Sequence, residues 1–496
     1  MMHGRGKSDP AIVARKPANK AGLVTAAAAE PVEPRAGTEG NCGPAKHAPG
    51  AGSGISVSQA LERIRKVARE RRQERFTALF HHLSVALFEE AFFALRKEAA
   101  PGVDGLTWRD YEADLGPRLE VLHERVHRGA YRALPGRRRY IPKPDGRQRP
   151  LAVAALEDKI VQRAVAMLLS EIYEEEFLGF SYGFRPGRGA HDALDALVVG
   201  IERRKVNFIL DADIRSFFDT VDHDWLIRFV EHRIGDTRII RLIQKWLKVG
   251  ILEDGVVTAS EQGTGQGAVI SPLLANVYLH YALDLWAERW RRREATGDMI
   301  IVRYADDFIV GFEHEADARR FLDELRERLR KFALSLHPEK TRLIEFGRHA
   351  AENRKRRGLG KPETFNFLGF TFISGKSRRG KFLIHRKTRR DRMKTKLKEV
   401  KEALKRRMHR PIPQQGKWLG QVLTGYYQYF AVPTNYRALA EFRDEVTRHW
   451  LRALNRRSQK EKTTWDRIVK LADEWLPQPR PRHPWPNQRF AVRYPR

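Results

Sequence analysis

The chain has very little cysteine, since Cys42 is the only one among its 496 residues. A disulfide within the chain is therefore excluded, and so is a zinc site made of several cysteines. Long hydrophobic runs are lacking as well, because no stretch approaches the roughly 18 apolar residues of a membrane helix. The N-terminus has no apolar segment typical of a secretory signal. We therefore expect a globular protein with no membrane partner.

Acidic residues are scarce relative to basic ones. The sequence has 93 Lys and Arg against 62 Asp and Glu, which gives a net charge of +31 and a pI near 10.3. A surface with this excess binds polyanions by releasing the counterions condensed on their phosphates, so binding is strong and sensitive to salt. RNA and DNA are the expected partners, and a basic surface that serves only solubility is the alternative. With 42% hydrophobic residues, the chain is long enough for more than one domain.

Two adjacent carboxylates are the first candidates for chemistry. Asp306 and Asp307 lie between apolar runs at 299–302 and 308–310, a pattern that predicts two strands joined by a turn. Neighbouring side chains point to opposite faces of a regular strand, so both carboxylates reach one site only where the chain turns. A solvated turn is the alternative, because aspartate is common in turns.

A second acidic element occurs earlier in the chain. Alternation over residues 206–214 places Asp211 and Asp213 on one face of a predicted strand and apolar side chains on the other. Clustered carboxylates are ligands that Mg²⁺ prefers, and phosphoryl transfer to a sugar hydroxyl uses two such ions about 4 Å apart. We therefore predict that Asp213, Asp306 and Asp307 are catalytic and hold two Mg²⁺ ions in an enzyme that adds nucleotides.

Several sequence blocks occur in the order found in reverse transcriptases. The blocks lie at residues 139–150, 182–188, 213–218, 265–276, 304–307 and 367–370. They include Tyr-Gly-Phe-Arg-Pro-Gly-Arg in the second block and Tyr-Ala-Asp-Asp in the fifth. Over roughly residues 60–490, the chain resembles group II intron reverse transcriptase/maturases most closely.

The resemblance implies a right-hand polymerase of the α/β class. Its fingers and palm are expected to be mixed α/β with an antiparallel palm sheet, and its thumb, or maturase domain, to be α-helical. The expected parts are a disordered basic N-terminal arm (1–57), a helical N-terminal extension (58–136), fingers and palm (137–373), a helical thumb/maturase domain (374–460) and an irregular, basic, proline-rich C-terminal tail (461–496). Since a cysteine cluster is missing, the zinc-binding endonuclease domain of many relatives is expected to be absent.

The resemblance also implies roles for residues that bind the nucleotide. Lys143 and Arg149, on the facing strands of a predicted fingertip hairpin, match positions that hold the phosphates of the incoming nucleotide. Solvated hairpin charges are the alternative. Phe218 matches the aromatic residue that stacks under the sugar and excludes a 2′-hydroxyl, whereas by physics alone it would be a core residue.

Three further positions take their roles from the resemblance. Gln266 matches a residue that contacts the nucleotide sugar, although Gly265 and Ala268 depart from the usual Pro-Gln-Gly-Gly. Lys340 matches a palm lysine near the nucleotide phosphates, with a surface lysine as the alternative. The backbone carbonyl of Ile214 is expected to complete a metal shell.

By resemblance, the chain copies RNA into DNA. The expected partners are an RNA template, a DNA primer, deoxynucleoside triphosphates, a structured intron RNA whose splicing it assists, and target DNA during retrohoming. A cytoplasmic location of the bacterial type is expected, while an organellar location and the oligomeric state stay open. The alternatives are a splicing-only maturase that binds RNA, a domesticated reverse transcriptase in repair or defence, and an RNA-copying RNA polymerase, which Phe218 disfavours.

Overall fold

The structure is a computed structural model that describes residues 18–19, 56–142, 148–253, 256–258, 263, 267–457 and 462–493. Most of the predicted N-terminal arm therefore lies outside the described residues. Two of its residues, Ala18–Asn19 (β1), pair in parallel with Arg75–Phe76 (β2). Within the described part, no helix is both long and apolar enough to cross a membrane.

Helices make up most of residues 57–127. They are α1 (Val57–Glu70), α2 (Val85–Phe93), α3 (Trp108–Glu112) and α4 (Leu115–His127), with a 3-10 turn at Phe80–His82. The caps follow from the sequence, because the hydroxyl of Ser56 accepts a hydrogen bond from the Gln59 N–H at the start of α1. Helices α1 and α2 pack against α5 (Leu156–Tyr173), which is buried along most of its length.

A four-stranded antiparallel sheet lies at the centre of the chain. Its strands are β5 (Phe208–Asp213), β8 (Met299–Tyr304), β9 (Asp307–Phe312) and β10 (Arg342–Glu345), in the order β10-β5-β9-β8. Both faces are covered, because alternate residues of β5 enter two different hydrophobic clusters: Leu210 joins the larger one and Ile209 the smaller one. The sequence therefore correctly predicted a mixed α/β fold with an antiparallel sheet.

Further helices lie between residues 190 and 356. They are α6 (Ala190–Arg203), α7 (Phe217–Thr220), α8 (His223–Arg233), α9 (Thr237–Lys248), α10 (Ser271–Leu279), α11 (Leu285–Arg293), α12 (Glu315–Arg330) and α13 (Ala350–Arg356). A π-helical turn, His280–Asp284, joins α10 to α11. A separate sheet contains β3 (Gly136–Pro142), β4 (Gln148–Val153), β6 (Ile251–Glu253) and β7 (Val256–Thr258), in the order β4-β3-β6-β7. Strands β3 and β4 form the predicted fingertip hairpin, although the residues of its turn, 143–147, lie outside the described part.

The C-terminal part begins with a small antiparallel sheet and continues as helices. The sheet contains β11 (Phe365–Phe367), β12 (Phe370–Lys376) and β13 (Phe382–Thr388). Helices α14 (Arg390–Arg406), α15 (Ile412–Phe430) and α16 (Tyr436–Arg457) share a core that includes Trp450 and Phe442. The helical region thus starts near residue 390 rather than at 374, because β12 and β13 extend past that boundary.

The predicted irregular tail is instead largely helical. It contains α17 (Trp465–Trp475) and α18 (Pro486–Arg493). Helix α17 packs against α15 and α16 and buries Ile468 and Ala472, while α18 packs against α6. Five prolines between residues 477 and 486 made this region look irregular, but they lie between and at the start of the helices, where proline is tolerated.

Candidate active site

The two adjacent carboxylates lie where β8 turns into β9. The register pairs Tyr304 with Asp307, so Ala305 and Asp306 form a two-residue turn. Ala305 has a φ of 56°, in the left-handed region that tight hairpins require. The pattern of apolar runs around the two aspartates therefore predicted the hairpin correctly.

The third carboxylate faces this turn from the neighbouring strand. Asp213, the last residue of β5, is the register partner of Asp307 in β9. Asp213, Asp306 and Asp307 all line one cleft of about 1260 Å³. The fold thus brings Asp213 next to two adjacent carboxylates that lie about 90 residues later in the sequence, as the alternating pattern of β5 predicted.

Negative charge in this cleft is concentrated at the three carboxylates. Asp307 opens into the cleft, but removal from bulk water there, together with the neighbouring Asp306 and Asp213 carboxylates, raises its pKa to about 7. Lys340 forms an ion pair with Asp213 and opposes this rise. Among the described residues, no three or more His, Cys, Asp and Glu side chains form a group that could hold a metal ion by itself. An open group of hard oxygen donors with excess negative charge fits divalent cations whose remaining ligands come from a phosphate substrate.

Asp211 lies on the same strand face but has a different partner. Its carboxylate is 3.5 Å from the Arg342 guanidinium on the adjacent strand β10. Burial raises the pKa of Asp211 to about 6, and Arg342 opposes the shift. Asp211 does not line the cleft that contains the other three carboxylates. Alternation alone therefore did not distinguish Asp211 from Asp213.

A buried arginine binds the backbone of the acidic turn. The Arg303 side chain is fully buried and forms a two-pronged ion pair with Asp284, at 2.7 and 2.6 Å. Its remaining donors bind the Ala305 carbonyl at 3.0 Å, the Asn276 side-chain oxygen at 3.0 Å and the Ser181 hydroxyl at 2.7 Å. Because Arg303 contacts the turn residue directly, it fixes the backbone that carries the adjacent carboxylates.

The structure describes only some of the predicted nucleotide-binding residues. Phe218 and Phe217 both line the cleft, but Phe218 is half-buried whereas Phe217 is only 2% exposed. Lys340 also lines the cleft, where its contact is the Asp213 carboxylate. Lys143 and Gln266 lie outside the described residues, and of Arg149 only the backbone, in β4, is described. Their predicted roles stay predictions.

Ile214 is placed with its backbone next to the acidic group. The Asp213 carbonyl accepts a hydrogen bond from the His337 N–H at 2.8 Å, and the Arg215 N–H donates to the Ser335 carbonyl at 2.9 Å. These two bonds flank Ile214 and leave its own carbonyl outside this strand pairing. Ile214 also lines the cleft. The position is compatible with the predicted metal contact, which stays a prediction.

Sequence patterns did not single out three other side chains of the cleft: Phe184, Arg215 and Arg392. Arg215 lies two residues after Asp213, and it is exposed. Arg392 reaches the cleft from α14, about 180 residues later in the chain. Phe184 and Arg215 lie in the blocks at 182–188 and 213–218, and Arg392 lies in a basic stretch, but no role in the cleft was predicted for any of them.

Comparisons with known proteins agree with this geometry. A family model described as "Reverse transcriptase (RNA-dependent DNA polymerase)" matches residues 141–372. Protein YkfC of Escherichia coli strain K12 is 33% identical over 335 residues, which cover 60% of this chain and 83% of YkfC. The residues matched by the family model include the sheet that carries all three carboxylates.

Two further relatives have names that refer to introns. "Group II intron-encoded protein LtrA" of Lactococcus lactis subsp. cremoris is 34% identical over 222 residues, which cover 44% of this chain and 37% of LtrA. "Nuclear intron maturase 3, mitochondrial" of Arabidopsis thaliana is 32% identical over 181 residues, which cover 32% of this chain and 25% of that protein. The match therefore spans well under half of both relatives. Together with YkfC and the family model, these matches show that the chain belongs to the reverse transcriptases of the group II intron type.

Proposed function

We propose that this protein is an RNA-directed DNA polymerase that extends a DNA primer along an RNA template. The observation that carries the proposal is the convergence of Asp213, Asp306 and Asp307 in one cleft. In this reading the sheet β10-β5-β9-β8 is the palm, the sheet with β3 and β4 belongs to the fingers, and α14 to α16 form the thumb. The family assignment supports the reading, and the proposal names the residues that perform the reaction.

The chain's own groups would bind and orient the reactants. Asp213, Asp306 and Asp307 would hold divalent ions, which we propose are two Mg²⁺, and the Ile214 carbonyl would add a ligand. When bound, such ions activate the attacking sugar oxygen and stabilise the leaving phosphate. Lys340 neutralises Asp213 in the free protein, and the same cation is placed to attract the phosphates of an entering nucleotide. Lys143 and Arg149 of the fingers and Gln266 would bind the phosphates and sugar of the deoxynucleoside triphosphate.

The first face that nucleic acid would meet beyond the cleft is helix α14. Its apolar residues Met393, Val400 and Leu404 are buried in the helical core, so its cationic side chains face outward. The exposed cations on this helix are Arg390, Arg392, Lys394, Lys398, Lys401, Lys405 and Arg406. We propose that this face holds the template–primer duplex and, as in a maturase, structured intron RNA. We further propose that the protein assists splicing and uses target DNA in retrohoming. The proposed location is the cytoplasm of a bacterium.

Phe218 supplies a prediction about sugar selection. Substitution of Phe218 by alanine is expected to raise incorporation of ribonucleotides relative to deoxynucleotides by about ten- to a hundredfold, because the space for a 2′-hydroxyl opens. The ratio of kcat/KM for the two nucleotides on one template measures the effect. Phe218→Tyr, which keeps the ring, is the control and should keep the wild-type ratio. A Phe218→Ala enzyme with an unchanged ratio would show that the residue only packs.

Primer extension tests the proposed activity directly. The purified protein is given a DNA primer on an RNA template with deoxynucleotides and Mg²⁺, and a DNA template serves for comparison. We expect extension to the end of the RNA template and none when Mg²⁺ is chelated. A splicing assay with a group II intron RNA separates the second role. Splicing assistance without any extension would favour a splicing-only maturase and contradict the polymerase proposal.

A further inference from the structure

Phe184 combines two unfavourable features in one residue at the mouth of the cleft. Its φ is 59°, in the left-handed region that a bulky side chain rarely adopts. Its side chain is also 51% exposed, so burial of the ring does not offset this strain. The ring lines the same cleft as Asp306 and Asp307. Strained residues of this kind persist where the surrounding structure holds them, and they concentrate at functional sites.

Gly183, the residue before Phe184, packs closely against the acidic turn. A Cβ added to Gly183 would lie 2.4 Å from the Ala305 nitrogen, so only glycine allows this approach. The Asn276 side-chain amide donates a hydrogen bond to the Gly183 carbonyl at 2.8 Å. The Tyr182 N–H donates to the Arg303 carbonyl at 2.9 Å. The backbone leading into Phe184 therefore has a fixed position relative to the catalytic carboxylates.

The residue after Phe184 is fixed as well. Arg185 is 6% exposed, and its guanidinium binds the Glu174 carboxylate. It also donates to the Leu178 and Ser181 carbonyls, at 2.9 and 2.8 Å. With both neighbours held by buried contacts, the strained conformation of Phe184 is imposed by its surroundings. The result is a fixed backbone that carries an exposed aromatic side chain in the lining of the cleft rather than in the core.

The cleft around the ring has the chemistry of a nucleic-acid channel. Besides the three carboxylates, Arg215, Lys340 and Arg392 line it. Cations of this kind bind a phosphate backbone, while an exposed aromatic face stacks on a base of any sequence. A planar base suits the flat ring, and the cations in the lining favour a ligand that carries phosphates.

We propose that Phe184 is a stacking platform for one unpaired nucleobase of the template strand close to the acidic turn. The inference rests on the proposed function and adds a contact residue to it. The backbone that carries the ring is fixed before nucleic acid arrives, so stacking costs no backbone conformational entropy at this position. The strained left-handed backbone conformation of Phe184 places this side chain in the cleft lining.

Three variants separate stacking from a structural role. Asparagine tolerates the left-handed conformation and lacks the ring, so Phe184→Asn should keep or raise the thermal midpoint while it weakens template–primer binding by about five- to a hundredfold. Phe184→Trp keeps an aromatic face and should bind within about threefold of wild type. Ala333→Asn is the matched control, because Ala333 is exposed, has a φ of 54° and does not line the cleft. It should gain stability in the same way and leave binding unchanged.

Fluorescence anisotropy with a labelled template–primer measures the affinities, and templates with one abasic position each locate the stacked base. Wild type should lose affinity at one abasic position next to the primer end, and Phe184→Asn should be insensitive to that same position. Equal affinities of wild type and Phe184→Asn, or abasic losses that are the same in both proteins, would overturn the inference. So would a fall in the thermal midpoint of Phe184→Asn that parallels its loss of binding.

The outcome is independent of the test of the proposed function. If wild type extends primers on RNA while Phe184→Asn binds and extends equally well, the stacking proposal fails and the polymerase stands. If wild type does not extend any primer, the polymerase proposal fails on its own evidence.

Discussion

Replacement of Asp306 by alanine is expected to reduce the rate of nucleotide addition by at least about a thousandfold. Loss of a carboxylate at the centre of the acidic group removes several kcal/mol of transition-state stabilisation, and each 1.36 kcal/mol corresponds to a factor of ten. Rapid-quench measurement of single-nucleotide addition on an RNA template gives the rate. Binding of the template–primer should change little, because a carboxylate does not attract phosphates.

The control for this variant is Asp323→Ala on helix α12. The Asp323 side chain is 74% exposed and pairs with Arg326 one turn away. Its loss should leave the rate of nucleotide addition within about twofold of wild type, since exposed ion pairs of this kind contribute little. An Asp306→Ala enzyme that adds nucleotides at the wild-type rate would show that the acidic turn is only a solvated hairpin.

Replacement of Arg303 by leucine is expected to lower the free energy of unfolding by about 3–5 kcal/mol, because it leaves the Asp284 carboxylate buried without its cation. Both side chains are fully buried in the wild-type protein. Burial already raises the pKa of Asp284, and Arg303 opposes that rise. In the variant, the pKa of Asp284 in the folded state rises further above its value in the unfolded state. The loss of unfolding free energy is therefore largest at neutral pH, and it shrinks as the pH falls toward about 4.

Urea denaturation at several pH values measures this effect. Arg319→Leu is the matched control, because its ion pair with Glu315 on α12 is exposed and should contribute less than about 1 kcal/mol at any pH. Equal stabilities of Arg303→Leu and wild type at pH 7 would contradict the account of the buried pair. A difference that grows toward low pH would contradict the sign of the linkage.

Sequence patterns predicted the parts of the site that depend on neighbouring residues. The hairpin of β8 and β9 and the strand β5 each follow from the pattern of apolar and polar residues within one short segment. Antiparallel pairing then places Asp213 opposite Asp307, which brings the predicted carboxylates together. The family resemblance added the half-buried, cleft-lining position of Phe218, which the periodicity alone assigned to the core.

Features that depend on distant contacts were not predicted. Arg303 is one basic residue in an apolar strand, and its partner Asp284 belongs to a π-helical turn that periodicity does not reveal. The helices α17 and α18 were missed because they are short amphipathic segments on either side of a proline-rich stretch, and they owe their stability to packing on α15, α16 and α6. Phe184 was missed because its significance lies in a backbone angle and an exposed ring, neither of which a sequence shows.

The most direct test of the account is the number of divalent ions that the three carboxylates hold. Mn²⁺ is titrated into the protein bound to a chain-terminated primer, an RNA template and the next deoxynucleoside triphosphate, and electron paramagnetic resonance reports binding and spin coupling. We predict two coupled Mn²⁺ ions about 4 Å apart in wild type and loss of the coupled signal in Asp306→Asn. Identical stoichiometry and coupling in both proteins would contradict the central claim that Asp213, Asp306 and Asp307 form one metal-binding catalytic group.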